Sequence, residues 1–231
     1  MKPEFLFLDL DDTILDFQMA ESVAIRKTIA QYGVEPTDEI CALYSRINKM
    51  HWEMLERGEL TRAEVLVNRF GMLFERLGVS VDKEAVAKTY EKLLGIGHWY
   101  LPGAEETVKN ILFGSYRLFL ASNGTASVQH GRMTSADLYP YFEQVFVSQE
   151  IGHNKPSKAY FDGCFARIPG FDPQKAMIVG DSLTSDIQGG INAGIKTCWV
   201  NPKGLPVPDH IRPDYEIRSL AELPGLLATM E

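Results

Sequence analysis

The pattern of hydrophobic and polar residues changes abruptly near the start of the chain. An unbroken apolar run at residues 5–8 is followed at once by the carboxylates of Asp9, Asp11 and Asp12. Such a short apolar run is typical of a strand buried on both faces, which would place the carboxylates at its carboxyl end. An acidic surface turn is the simpler interpretation of these residues taken alone, because aspartate is common in turns.

After this strand, apolar positions recur with helical periodicity. The pattern predicts helices over residues 19–32, 38–57, 61–77 and 82–95. Thr61 and Glu64 have the spacing of a capping box, and Gly33 and Gly78 are expected to end the helices before them. We therefore expect a purely helical segment between the first strand and the rest of the chain.

From Leu101 onward, short apolar strands alternate with helical stretches, which is typical of a parallel α/β sheet. Predicted strands cover residues 116–121, 144–147, 176–179 and 197–200, and predicted helices cover 104–112, 126–136, 159–168, 186–193 and 219–230. The predicted fold class is α/β, with a Rossmann-like three-layer core and an inserted α-helical cap. We place the core at residues 1–16 and 100–231 and the cap at 17–99. A cap inserted there would cover the carboxyl ends of the strands, where open α/β sheets bind ligands.

Composition and charge narrow the function classes. The net charge of −8 disfavours binding to nucleic acid through phosphate neutralisation. Cys41, Cys164 and Cys198 have no C-x-x-C spacing, which favours free, buried thiols in a reducing cytosol over disulfides or zinc. The apolar runs are too short to span a membrane, and the N-terminus does not resemble a signal peptide. We expect a cytoplasmic protein that acts on a small molecule, and the sequence carries no indication of its oligomeric state.

Polar side chains follow the predicted core strands. They are Asp9, Asp11, Ser122, Asn123, Lys155, Asp181 and Asp186. Parallel strands would bring these strand ends into one crevice. Carboxylates are suitable ligands for Mg²⁺, and hydroxyl, amide and ammonium donors suit a tetrahedral anion. This combination is the one that phosphoryl transfer requires, whereas a Walker loop, a G-x-G-x-x-G motif and a Ser-His-Asp order are missing from the sequence.

Four motifs occur in a fixed order along the chain: Asp9-Leu10-Asp11-Asp12-Thr13, Ser122-Asn123-Gly124, Lys155-Pro156 and Gly180-Asp181-x-x-x-x-Asp186. Together with the helical insert, they resemble the haloacid dehalogenase-like hydrolase superfamily over the whole core. The resemblance implies that Asp9 is the nucleophile that forms an aspartyl-phosphate and that Asp11 is the general acid and base. It implies Mg²⁺ bound by the Asp9 carboxylate, the Asp11 backbone carbonyl and Asp181, with Asp186 supporting the metal's waters or Lys155. It also implies that Ser122, Asn123 and Lys155 bind the phosphoryl group.

Two positions refine this resemblance. The metal-free dehalogenases of the superfamily lack an aspartate two residues after the nucleophile, so Asp11 favours phosphate chemistry. Asp12 stands where many relatives have glycine, and this resembles the bacterial pyrimidine 5′-nucleotidase-type phosphatases, which implies hydrolysis of UMP, dUMP and dTMP. In the cap, Asn48, His51 and Trp52 are candidates to contact a base, although Trp52 could equally be a core aromatic. The alternatives are a phosphatase for a phosphosugar or phosphoglycolate, a phosphomutase, and a non-catalytic binding protein.

Overall fold

The core of the computed structural model, which describes residues 2–230, is a six-stranded sheet in the order β3-β2-β1-β4-β5-β6. Every neighbouring pair of strands is parallel. The strands are β1 (Phe5–Leu8), β2 (Arg117–Ser122), β3 (Gln144–Val147), β4 (Ala176–Gly180), β5 (Lys196–Val200) and β6 (Tyr215–Ile217). This topology confirms the predicted α/β class.

The helices fall into two groups along the chain. The segment between β1 and β2 begins with α1 (Phe17–Gln31), α2 (Asp38–Glu56), α3 (Arg62–Arg76) and α4 (Lys83–Leu94), which we call the cap helices. The remaining helices are α5 (Ala104–Glu106), α6 (Ala126–Ser135), α7 (Ser148–Ile151), α8 (Lys158–Phe165), α9 (Gln188–Ala193) and α10 (Leu223–Ala228). Short 3₁₀ turns occupy Tyr139–Tyr141, Pro173–Lys175 and Leu220–Glu222, and π-helical turns occupy Thr107–Leu112 and Leu183–Ile187.

β1 lies in the middle of the sheet, and all of its residues are buried. Leu6 and Leu8 belong to an apolar cluster that includes residues of α5 and α10, whereas Phe5 and Phe7 belong to a second cluster with residues of α8. Successive side chains of a strand point to opposite faces, so β1 is covered by helices on both sides. This confirms the predicted three-layer core.

The cap helices have an apolar core of their own. The rings of Tyr44, Phe70 and Tyr90 pack together, with centroids 5.2–5.4 Å apart. The predicted capping box is present, since Thr61 accepts from the backbone of Glu64 and the Glu64 carboxylate accepts from the backbone of Thr61. These contacts fix the start of α3 within the segment that the sequence predicts to be helical.

The two chain segments that connect the cap helices to the sheet run side by side. The backbone N–H of Asp16 donates to the carbonyl of Trp99 at 2.7 Å, and that of Leu101 donates to the carbonyl of Ile14 at 3.0 Å. The first contact also precedes α1, where the Asp16 side chain caps the helix by accepting from Met19 N–H. The division into two domains at residues 16 and 100 stays a prediction from the sequence.

Several elements differ from the predicted ones. Residues 104–112 form α5 and a π-helical turn instead of one regular helix, a difference that apolar periodicity does not reveal. Asp186 lies in the π-helical turn before α9, not at the start of a regular helix. β6 was not predicted, because it is a three-residue edge strand with one buried residue.

The buried cysteines agree with the prediction. Cys41, Cys164 and Cys198 are free and buried. Within residues 2–230, no helix has the length and apolar character needed to cross a membrane.

Candidate active site

The predicted site residues meet at the carboxyl edge of the sheet, where β1 is flanked by β2 and β4. They line a single cavity whose opposite wall is formed by the cap helices. The residues that meet there are Asp9, Asp11, Ser122, Asn123, Lys155, Asp181 and Asp186. The structure therefore brings the complete predicted set together, at the place where ligands bind in open α/β sheets.

Lys155 lies at the centre of the charged groups. Its side chain is 1% exposed, and its Nζ donates to Asp9 Oδ1 at 2.7 Å, Asp186 Oδ1 at 2.6 Å and the Ala121 carbonyl at 2.6 Å. All three ammonium protons are thereby used. Burial acts to lower the pKa of Lys155, but the carboxylates of Asp186 and Asp9 outweigh it and hold the pKa above its ordinary value. Lys155 thus remains charged and compensates its acidic neighbours.

Asp9, Asp181 and Asp186 offer carboxylate oxygens that lie within 4.8 Å of one another. Burial, opposed by the charge of Lys155, raises the pKa of Asp9 to about 8. Burial and the nearby charges of Asp9 and Asp186 raise the pKa of Asp181 well above its ordinary value. Such shifts reflect the cost of holding carboxylates together away from water, which a cation would remove. An acidic, all-oxygen donor set of this kind fits Mg²⁺.

The side chain of Asp11 points to a different set of partners. Its Oδ2 accepts from Gln129 Nε2 at 2.7 Å, and its Oδ1 pairs with Arg132 Nη1. Arg132 is fully buried and also donates through Nε to the carbonyl of Gly97, in the segment that returns from the cap helices, at 2.9 Å. In this conformation Asp11 is held by two residues of α6 instead of by the carboxylate cluster.

Ser122 and Asn123 have distinct roles in the geometry. Ser122 Oγ accepts from Gln129 Nε2 at 2.6 Å and from Gly124 N–H at 3.1 Å, which leaves its own proton for another acceptor. The Asn123 side chain instead exchanges two hydrogen bonds of 2.8 Å with the backbone of Lys155. Asn123 therefore fixes the loop that carries Lys155, and Ser122 is the freer donor.

The backbone conformation and the hydrogen bonds of Asp12 explain why aspartate can occupy this position of the motif. Its φ of 55° lies in the left-handed region that favours glycine. Its carboxylate accepts from Phe17 N–H at 2.9 Å and from Gln18 Nε2 at 2.8 Å, at the start of α1. Aspartate is among the residues that tolerate this conformation, and here it also ties the first motif to the cap helices.

The cap side of the cavity combines apolar and ionisable side chains. They are Phe17, Trp52, Leu55, Glu56, Arg69, Glu91 and Leu94. Trp52 therefore lies in the cavity wall, with the Arg62 guanidinium 5.5 Å from its ring.

Two of the candidate base contacts lie elsewhere. Asn48 and His51 are buried within the cap helices and are not among the described residues that line the cavity. Asn48 bonds to Glu21 and Arg69, and His51 Nδ1 lies 2.8 Å from the Ile47 carbonyl. Their side chains therefore contact residues within the cap helices instead of the cavity.

Arg62, at the start of α3, joins the cap helices to the sheet. Its Nη1 donates to the carbonyls of Asn123 and Gly124 at 2.9 and 3.0 Å, and its Nη2 donates to Ser148 and Asn154. This one side chain thus contacts the loops that follow β2 and β3.

With this geometry in place, the chain can be assigned to a family. The model of the haloacid dehalogenase-like hydrolase family matches residues 6–200. The chain belongs to this family, as its strand-end motifs indicate, and is a hydrolase of that type.

Several relatives match nearly the whole chain. It is 40% identical to the HAD-hydrolase YfnB of Bacillus subtilis over 96% of this chain and 94% of that protein. It is 36% identical to the pyrimidine 5′-nucleotidase PynA of Streptococcus pneumoniae, over 95% of this chain and 93% of that protein. The crystal structure of YfnB bound to magnesium superposes with a TM-score of 0.93 at 38% identity, covering 98% of this chain and 99% of that one. That YfnB structure reveals interdomain movement.

Sequence reasoning missed several polar residues that contact the site. Gln129 and Arg132 are three residues apart, a spacing that places both on one face of α6. Arg69 follows Val65 by four residues and so occupies a position on the buried face of α3, where a charged residue is unusual. Both features are visible in the sequence, but the partners of these side chains come from distant elements.

Proposed function

We propose that this protein is a Mg²⁺-dependent phosphomonoesterase that acts through an aspartyl-phosphate, with a preference for pyrimidine nucleoside 5′-monophosphates. The observation that carries the proposal is the position of Asp9. It contacts the buried ammonium of Lys155 and belongs to a carboxylate cluster that fits a divalent cation, at the base of an open cavity.

Asp9 is the nucleophile of the proposed reaction. One of its carboxylate oxygens forms a bond to phosphorus as the bond to the leaving ester oxygen breaks. The leaving oxygen takes a proton from Asp11, and Asp11 then removes a proton from the water that hydrolyses the aspartyl-phosphate, restoring both groups. In the structure, Asp11 is held by Gln129 and Arg132, so it must exchange these partners to reach the leaving group.

Charge neutralisation is the second requirement, because an anionic nucleophile must approach an anionic ester. Lys155 supplies one positive charge beside Asp9, and Ser122 supplies a hydroxyl donor for a phosphoryl oxygen. Asp9, Asp181 and the Asp11 backbone carbonyl would hold Mg²⁺, with Asp186 orienting Lys155. The metal would supply further positive charge and orient the phosphoryl group.

The pyrimidine preference is supported by the relatives and by the cavity. PynA is a pyrimidine 5′-nucleotidase. YjjG of Escherichia coli is a second one, and it is 32% identical to this chain over 98% of this chain and 99% of that protein. The cap wall of the cavity offers Phe17 and Trp52, whose rings suit a planar base.

The test measures phosphate release with and without Mg²⁺ on UMP, dUMP, dTMP, AMP, ribose 5-phosphate and phosphoglycolate. We expect Mg²⁺-dependent turnover with the highest kcat/KM on the pyrimidine monophosphates. A higher value on ribose 5-phosphate or phosphoglycolate would retain the phosphatase assignment and contradict the nucleotide preference.

A further inference from the structure

Arg69 and Glu91 are ionisable residues of the cavity wall that the proposed chemistry does not use. Arg69 comes from α3 and Glu91 from α4, and these helices pack against each other. Both side chains line the same cavity as Asp9. Among residues 2–230, no ion pair joins them within 4.0 Å. They therefore present a donor and an acceptor to the cavity that are not consumed by one another.

Hydrogen bonds and aromatic rings hold the guanidinium of Arg69 in place. Its Nη1 donates to Asn48 Oδ1 at 2.7 Å, and Asn48 Nδ2 donates in turn to Glu21 Oε1 at 2.6 Å. The guanidinium carbon also lies 5.0 Å and 5.1 Å from the ring centres of Phe70 and Tyr90. Within the described part of the chain, Nη2 has no hydrogen-bond partner, although the residue is 3% exposed. A side chain that is held in place and keeps unused N–H donors is suited to recognise a ligand.

The carboxylate of Glu91 limits the kind of ligand that can accept a hydrogen bond from Arg69. A buried arginine alone would favour an anion, such as the carboxylate of a sugar acid. Glu91 is half-buried and lines the same cavity, and its side chain accepts no hydrogen bond from residues 2–230. A second negative charge placed here would be repelled. The pair instead matches a neutral group that presents an acceptor and a donor side by side, and the –CO–NH– edge of uracil and thymine is such a group.

We infer that Arg69 and Glu91 recognise the edge of a uracil or thymine base, with Arg69 donating to a ring carbonyl and Glu91 accepting the N3–H. The inference rests on the proposed function, because it assigns the base specificity of the same site. The phosphate would lie beside Asp9 and Ser122, and the ring would lie against the apolar wall that includes Phe17 and Trp52.

The first experiment compares UMP with ribose 5-phosphate, which lacks the base, in the wild type and in Arg69→Met and Glu91→Ala. We expect the ratio of their kcat/KM values to fall about 10- to 100-fold in each variant, because a hydrogen bond to a charged group is lost. Arg76→Met and Glu84→Ala are matched controls, since they are exposed residues of the same two helices. Both controls should keep the wild-type ratio.

The second experiment changes the substrate instead of Arg69, which also packs in the cap core. 3-Methyl-UMP lacks the N3–H, so the wild type should disfavour it relative to UMP by about tenfold or more. In Glu91→Ala this discrimination should largely vanish, because the acceptor is missing.

The outcomes separate the two proposals. A wild type that does not distinguish UMP from ribose 5-phosphate contradicts the nucleotide preference and the inference together. A wild type that distinguishes them, while Arg69→Met and Glu91→Ala keep both the substrate ratio and the 3-methyl-UMP discrimination, contradicts the inference alone.

Discussion

Lys155 is the residue on which the charge balance of the site depends. Its ammonium is buried with two carboxylates within 2.7 Å, so its removal leaves like charges together in a site shielded from water. Removing one partner of a buried ion pair lowers the free energy of unfolding far more than removing one partner of an exposed pair.

We expect Lys155→Ala to lower the free energy of unfolding by about 3–5 kcal/mol in metal-free buffer, as measured by urea denaturation with EDTA. Lys158→Ala is the matched control, because Lys158 forms an exposed pair with Asp162. It should unfold at nearly the wild-type urea concentration. Equal midpoints for wild type and Lys155→Ala would show that Lys155 does not compensate these carboxylates.

The Asp9→Asn variant tests whether Asp9 is the nucleophile, because asparagine has nearly the same shape as aspartate. The amide oxygen can still accept from Lys155, so the fold should be retained, but the side chain loses the charge needed to attack phosphorus. We expect phosphate release to fall roughly a thousandfold or more, with an unchanged circular dichroism spectrum. Substantial Mg²⁺-dependent turnover by this variant would exclude Asp9 as the nucleophile.

The sequence predicted the residues at the strand ends, since each follows an apolar run that identifies its strand. It did not predict the contacts of Asp11, because Gln129 and Arg132 belong to α6 and reach Asp11 only through tertiary packing. It named Asn48 as a candidate base contact, whereas in the structure the Asn48 side chain bonds to Glu21 and Arg69 from two other helices. Local patterns locate chemical groups, whereas the folded chain determines their partners.

Helix α3 contacts the loops that follow β2 and β3. Its capping box was predictable because both halves lie within four residues of sequence. Arg62 follows that cap directly, and its contacts with the loop after Ser122 were not predictable, since they join residues about 60 positions apart. The contacts place a cap residue against the loop that carries Asn123.

We expect Arg62→Ala to lower kcat/KM for UMP and ribose 5-phosphate alike, by about tenfold, because the loop after β2 loses charged hydrogen bonds. Arg57→Ala, which removes an exposed arginine paired with Glu59, is the control and should behave as wild type. A loss confined to UMP would show that Arg62 contacts the base instead of supporting the loop.

The whole molecule should be stabilised by the cation that its carboxylate cluster fits. A ligand bound to the folded state alone, at a hundred times its dissociation constant, adds about 2.7 kcal/mol to the free energy of unfolding. For a chain of this size, saturating Mg²⁺ should therefore raise the melting temperature by roughly 5–10 °C over EDTA at equal ionic strength.

Asp181→Asn should abolish most of that shift, because it removes one carboxylate of the cluster. Asp209→Asn, which changes an exposed aspartate outside the cavity, should retain it. An identical Mg²⁺ response in wild type and Asp181→Asn would locate the stabilising cation elsewhere in the protein.

The separate aromatic core of the cap helices has a consequence for how such a protein can evolve. Tyr44, Phe70 and Tyr90 pack within the cap, and the supports of Arg69 lie there too, whereas the carboxylate cluster and Lys155 are supported by the sheet and its loops. Amino-acid changes that repack the cap would thus alter which ester is accepted while leaving the hydrolytic machinery in place. Natural selection can therefore change the substrate range of such a protein through the cap helices alone, while the residues at the sheet stay the same.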